Sequence, residues 1–196
     1  MRRFIYMKKG LTAVVIALTL FLTAGAVSAS SVDESVTLHK KLLKDQALQS
    51  LQEEYPDAQF IEEDVAKDGS VEGITLQGPA PPLTSLRVYA AISTHYPQYE
   101  YFALNQLTSI EDHGGEEMYI VTREIGYSRN TSRIAQMNGG NIPMLMDEAI
   151  DLNGDRIIDG YFRWWDASGY ENGRFTYQAT SINAPWNTMS ARINMR

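Results

Sequence analysis

Metal-type donors are concentrated in the run Asp151-Leu-Asn153-Gly-Asp155-Arg156-Ile157-Ile-Asp159, which puts side-chain oxygens at loop positions 1, 3, 5 and 9 and leaves the Ile157 carbonyl for position 7. Calcium takes about six to eight oxygens, and alternate residues of a tight turn can aim theirs at one point. The spacing predicts a calcium loop with Asp151, Asn153, Asp155, Ile157 and Asp159 as ligands. The competing reading is an acidic turn between two strands, held by Asx-type hydrogen bonds. Position 6 is Arg156. If the turn needs a left-handed backbone there, Arg costs on the order of 1 kcal/mol more than Gly, and its cation opposes the metal.

Other reactive residue types are sparse. His113-Gly114-Gly115 has the glycines of an oxyanion turn, but the chain contains no Gly-x-Ser-x-Gly nucleophile elbow, so His113 reads as a loop histidine at a strand connection. His39, His95 and His113 lie far apart, with no His-Glu-x-x-His spacing, which argues against catalytic zinc. Glu116, Glu117 and Glu124 supply carboxylates of the kind glycosidases pair, yet two suitably spaced acids arise by chance in any acidic chain. No catalytic residue is assigned.

The chain has 196 residues, 24 acids against 17 bases, and no cysteine. Disulfides, thiolate nucleophiles and Cys-ligated zinc are therefore excluded. Arg2, Arg3, Lys8 and Lys9 precede an apolar run over 11–22, and small residues end it at Val27-Ser28-Ala29. Positive end, apolar middle and small-residue cut form a secretory signal of bacterial type, with cleavage expected after Ala29. The alternative is an uncleaved anchor. After cleavage 13 bases face 24 acids, a balance of -11. Such a chain repels phosphate backbones, so nucleic acid is not an expected partner, and no membrane association is expected once the signal is gone. The expected place is extracellular.

Two regions follow. Residues 30–77 carry eleven acids against four lysines and have Tyr55 and Phe60 as their aromatics. Ser31-x-x-Glu34 reads as a capping box opening a helix over 33–54, with Leu38, Leu42, Leu48, Leu51 and Tyr55 as an imperfect stripe and Pro56 as its stop. This segment is an acidic helical region or a pro-region. Residues 78–83 form a Pro-rich linker, and residues 84–196 form an all-β domain, because 15 of the 20 aromatics lie between Tyr89 and Trp186 and period-two runs recur there between turn signals. Strands are expected near 86–94, 117–127, 142–150, 158–166, 174–182 and 188–195, which fits an antiparallel β-sandwich or a small barrel. On one strand Leu86, Val88, Ala90 and Ile92 should share a face.

Asn172-Gly173 is a strong two-residue hairpin signal. A hairpin closed there pairs Tyr170 with Phe175 and puts Phe162, Trp164, Phe175, Tyr177 and Ala179 on one apolar face. Tyr161, Arg163, Trp165, Gln178 and Thr180 then fall on the other, as a candidate platform on which a sugar ring stacks. The bland alternative is that a second sheet or a helix covers that face. Asp166 lands on the apolar side, at a sheet rim or re-aimed by a bulge in 167–169. All nine bases after Lys67 are arginine, for which the sequence alone offers no reason.

The loop is not an EF-hand, since the bidentate Glu would fall at position 12, where Phe162 stands. With an acid at position 9 and an apolar strand behind it, the nine residues resemble the calcium loops of FG-GAP repeats in integrin-type propellers, departing from them at Arg156. That resemblance transfers no propeller fold. Over the longer stretch, 79–84, 112–115, 151–168 and 180–189 resemble the YolA-like secreted proteins of bacilli. This resemblance implies export and a β domain, and it carries over no catalytic residue. The expectation is a secreted, calcium-stabilised β domain that binds carbohydrate or another cell-surface polymer. Its rival is a hydrolase of cell-wall or polysaccharide polymer with a site assembled from scattered Asp, Glu and His.

Overall fold

Pro56 ends the helix where its missing N–H and ring require: α1 runs Ala29–Glu54, and the Tyr55 N–H closes on the Leu51 carbonyl at 2.8 Å. The computed structural model describes residues 29–61 and 80–196, so the expected signal peptide, most of the acidic stretch after the helix and the start of the linker lie outside the described residues. Residues 41–196 form one unit; of the other, Met1–Lys40, the helical backbone from Ala29 is described. The backbone is already helical at Ala29, two residues before the expected capping position.

Among the described residues ten strands follow: β1 Gln59–Ile61, β2 Ser85–Ser93, β3 Glu100–Tyr101, β4 Met118–Ile125, β5 Ile134–Met137, β6 Gly140–Asn141, β7 Met144–Asp151, β8 Gly160–Asp166, β9 Gly173–Thr180 and β10 Thr188–Met195. They make a six-stranded sheet in the order β1-β7-β8-β4-β2-β3 and a four-stranded sheet in the order β10-β9-β5-β6. Every pairing within both sheets is antiparallel. The expected sandwich is present, and all six expected strands are among the ten.

Two cores hold it together. Between the sheets, Leu86, Val88, Ile120, Trp165, Phe175, Tyr177 and Ile193 pack with their neighbours. On the other face of the six-stranded sheet, Leu43, Ala47 and Leu51 of α1 pack on Tyr89, Val121, Phe162 and Trp164. The helix stripe thus runs through Leu43, Ala47 and Leu51 at strict four-residue spacing, while Leu42 of the expected stripe is 49% exposed. Residues 43–51 of the helix therefore cover one face of the large sheet, and β1 pairs with β7 at its edge.

The register also differs from expectation. β8 lies between β7 and β4, whereas β9 lies between β10 and β5, so residues 167–172 cross between sheets and Asn172-Gly173 is no hairpin. The tight hairpin is Asn138-Gly139, joining β5 to β6, where both central residues have positive φ, 53° and 83°, as a type I′ turn demands. In β2 a bulge between Val88 and Ala90 breaks the expected common face: Leu86 and Val88 enter the inter-sheet core, Ala90 and Ile92 the core under the helix. Asp166 sits at the end of β8, where its Oδ1 accepts the Ser168 N–H at 3.0 Å.

Candidate functional site

β7 and β8 deliver the nine-residue loop as the connection between two neighbouring strands, and the Asp159 N–H bonds the Ile150 carbonyl at 2.8 Å to close its base. Asp151 is fully buried and acts as the hub. Its Oδ1 accepts the N–H of Asn153 at 3.1 Å and of Gly154 at 2.8 Å; its Oδ2 accepts the Arg156 N–H at 2.7 Å and Gln59 Nε2 at 2.8 Å. Burial alone would raise the carboxyl pKa, but these four donors outweigh it and hold Asp151 below its ordinary value, so the loop keeps its charge. Asp159 Oδ2 accepts the Leu152 N–H at 2.7 Å, and Asp155 Oδ1 accepts the Ile157 N–H at 2.8 Å. Asn153 and Asp155 bond each other, both through Nδ2 to Asp155 Oδ2 and through the Asp155 N–H to Asn153 Oδ1, at 3.1 Å. Arg156 adopts the left-handed backbone expected of position 6, with φ 66°.

The donor types suit a hard cation, and Asn153, Asp155 and Asp159 have oxygen lone pairs beyond those that the loop's N–H groups occupy. Asp151, in contrast, already accepts four hydrogen bonds, which is about the capacity of a carboxylate. Among the described residues, no three His, Cys, Asp or Glu are gathered as a ready-made metal cluster.

The expected platform is not assembled. Tyr161, Arg163 and Trp165 lie on β8, while Gln178 and Thr180 lie on β9 of the other sheet, and Gln178 faces solvent. Trp165 is 4% exposed in the inter-sheet core, with Nε1 donating to Thr122 Oγ1 at 2.9 Å. Arg163 is fully buried and pairs with Glu124 and Asp147, its guanidinium 4.6 Å from the Tyr161 ring centroid. The reason is topological: β8 is an interior strand, so Trp165 and Arg163 are enclosed and do not face solvent, while Tyr161 is half-buried.

Glu124 anchors that buried polar patch. It accepts Ser128 Oγ at 2.7 Å and the Tyr177 hydroxyl, with Arg163 Nη2 at 3.4 Å. Burial and the adjacent carboxylate push the Tyr177 hydroxyl pKa up, and Arg163 stays charged because Glu124 overcomes the penalty of burial. Glu116 and Glu117 are exposed while Glu124 is fully buried, so these acids do not face a common cleft. Planar guanidinium also accounts for much of the arginine bias: Arg87 and Arg123 both lie over Tyr89, Arg133 and Arg163 both over Tyr161, each with hydrogen bonding or ion pairing at its edge.

A second centre escaped the sequence reading. Glu100, 9% exposed, receives Gln106 Nε2 at 2.9 Å, the Ile110 N–H at 2.8 Å, the Glu111 N–H at 3.0 Å and His113 Nε2 at 2.9 Å. Burial opposes its charge, but the four bonds prevail and lower its pKa. His113 is indeed in a strand connection, and it is fully buried. Around this latch the loop from β3 to β4 displays Leu104, Leu107 and Ile110, each at least 60% exposed. No periodicity could have marked Glu100, because three of its four partners lie ten or more residues away in a loop.

The family described as "Domain of unknown function (DUF4879)" matches residues 78–195, the β region with its Pro-rich approach. No curated protein matches the chain significantly. No described helix is long and apolar enough to cross a membrane.

Proposed function

The chain belongs to the DUF4879 family, and we propose that it is an exported, calcium-stabilised binding domain of the YolA-like kind, acting at a cell surface or on an extracellular polysaccharide. The observation that carries the calcium reading is the 151–159 loop: oxygen donors at alternate positions, a charged Asp151 hub, and Arg156 held left-handed at the one position where such loops favour Gly. Asn153, Asp155, Asp159 and the Ile157 carbonyl would hold the ion, with Asp151 joining them if it releases Gln59. When bound, calcium would neutralise a crowded set of carboxylates and tie β7 to β8.

A binding role is favoured over hydrolysis because the acids best placed for chemistry are already engaged: Glu100 and Glu124 are buried in hydrogen bonds to the protein itself. Export rests on the basic, apolar and small-residue order of residues 2–29.

The test is thermal unfolding with and without calcium. Extracellular modules bind with dissociation constants of about 0.1 to 1 mM. At about 1 mM calcium, mass action gives roughly 0.4 to 1.4 kcal/mol, or a few degrees in Tm. Asp155→Ala and Asp159→Ala should abolish the shift. An equal shift with magnesium, or none with calcium, would refute the loop's role. Loss of polymer on incubation with the wild type, absent in Glu117→Gln, would favour the hydrolase instead.

A further inference from the structure

Exposed sheet edges invite pairing with another chain, and proteins usually blunt them. Among the described residues three of the four sheet edges are short: β1 has three residues, β3 two and β6 two. The fourth, β10, has eight residues in unbroken register with β9. It carries no proline and no bulge, and Arg192 is its one charged side chain.

The direction of its free backbone groups follows from its far end. The Asn194 N–H donates to the Leu107 carbonyl at 2.9 Å and the Asn194 carbonyl accepts the Ser109 N–H at 2.9 Å, so Asn194 points away from β9 and the 107–109 segment covers the edge there. By antiparallel alternation Thr188, Ser190 and Arg192 point the same way, and no described residue outside β9 bonds their backbone groups. On the core side of this stretch Met189 and Ala191 are half-buried.

Two exposed apolar features flank the open edge. Trp186, 83% exposed, precedes it, and Leu107 and Ile110, 60% and 71% exposed, stand beside Asn194 at its other end. At ~3.3 Å per residue they are roughly 26 Å apart along the strand. We propose that the chain forms a two-fold dimer through antiparallel pairing of β10 with β10 of a second copy, centred on Ser190.

In that register Thr188 faces Arg192 of the other copy, so no like charges oppose each other, and Met189 meets Ala191. Residue 186 of one copy comes level with Asn194 of the other. Each Trp186 is thereby brought to the Leu107–Ile110 loop that its own strand cannot reach, and both apolar features are used by one isologous interface. The fit to a second copy comes from this reciprocity; an unrelated extended peptide would satisfy the edge but leave both apolar features exposed. The two sheets would join into one eight-stranded sheet.

The test is sedimentation velocity of the full chain over a concentration series. Wild type should associate reversibly to a dimer. Ser190→Pro deletes an N–H that the β9 ladder does not use, so it should keep its melting temperature near wild type yet weaken the dimer on the order of tenfold or more, since the loss is felt twice across the axis. Ser190→Ala, which retains the N–H, should still dimerise. Trp186→Ala should also weaken association with the melting temperature unchanged, an independent check if the proline variant unfolds. A monomer at every concentration, or a dimer indifferent to both Ser190→Pro and Trp186→Ala, would overturn the proposal.

Discussion

Replacing Arg163 with Met removes a cation but keeps a long side chain in a fully buried position on β8. The consequences for its two carboxylate partners differ. The Asp147 side chain is 41% exposed and recovers water, whereas Glu124 is fully buried and does not. Glu124 would keep Ser128 Oγ at 2.7 Å and the Tyr177 hydroxyl, and it would lose its nearest cation. Removing one partner from a buried pair costs about 3 to 5 kcal/mol, a large share of the roughly 5 to 15 kcal/mol by which domains are stable. For a unit of this size that corresponds to a fall of roughly 6 to 20 °C in Tm. Urea unfolding followed by tryptophan fluorescence measures it, since Trp164 and Trp165 flank the site and are buried. The double variant Arg163→Met, Glu124→Gln should recover most of the loss, because a neutral amide can still bond Ser128 and Tyr177 without burying charge. A single-variant cost below about 1 kcal/mol, the value of an exposed pair, would refute the reasoning, as would a double variant no better than the single.

Trp165→Ala should cost about 3 to 5 kcal/mol, because this indole fills the inter-sheet core; a melting temperature within a degree of wild type would return it to the surface. Leu51→Ala, at the fully buried contact of α1 with the large sheet, should cost about 2 to 5 kcal/mol, and residues 84–196 alone should lack a sharp thermal transition. Glu100 has a lowered pKa in the folded chain, so its contribution to stability is complete above the ordinary carboxyl value of 4.5 and is lost as pH falls through the folded value. Glu100→Gln should therefore destabilise the protein at neutral pH and flatten the acid limb of its stability curve below pH 4.5, a change that unfolding at several pH values would reveal.

The six long strands are legible in the sequence because strict alternation is a local property, and each lies within a few residues of its expected place. Their partition between sheets is not local. Asn172-Gly173 looks like a hairpin, yet Asn172 is not among the residues with positive φ, and Asn138, whose Oδ1 accepts the Arg174 N–H at 2.8 Å, makes the tight turn beside it. A usable signal lay in Phe162, Trp164 and Trp165: large aromatics of both parities mark a strand covered on both faces, which the period-two reading treats as half exposed. The helix was equally readable through Leu43, Ala47 and Leu51, a spacing masked by the more numerous leucines around it. The bulge in β2 and the latch at Glu100 had no such mark, since one depends on sheet packing and the other on backbone donors of a folded loop. At the 151–159 loop the alternating oxygen donors are legible in the sequence, whereas the left-handed backbone of Arg156 and the Gln59 contact on Asp151, which arises from β1, belong to the folded chain.

A crystal grown in millimolar calcium tests the central claim most directly. Anomalous scattering should place one ion in the 151–159 loop, with Asn153, Asp155, Asp159 and the Ile157 carbonyl among oxygens at about 2.3 to 2.6 Å. An ion-free loop under those conditions, with Asp151 still accepting Gln59 and the N–H groups of Asn153, Gly154 and Arg156, would contradict it and leave the loop as a self-sufficient acidic turn.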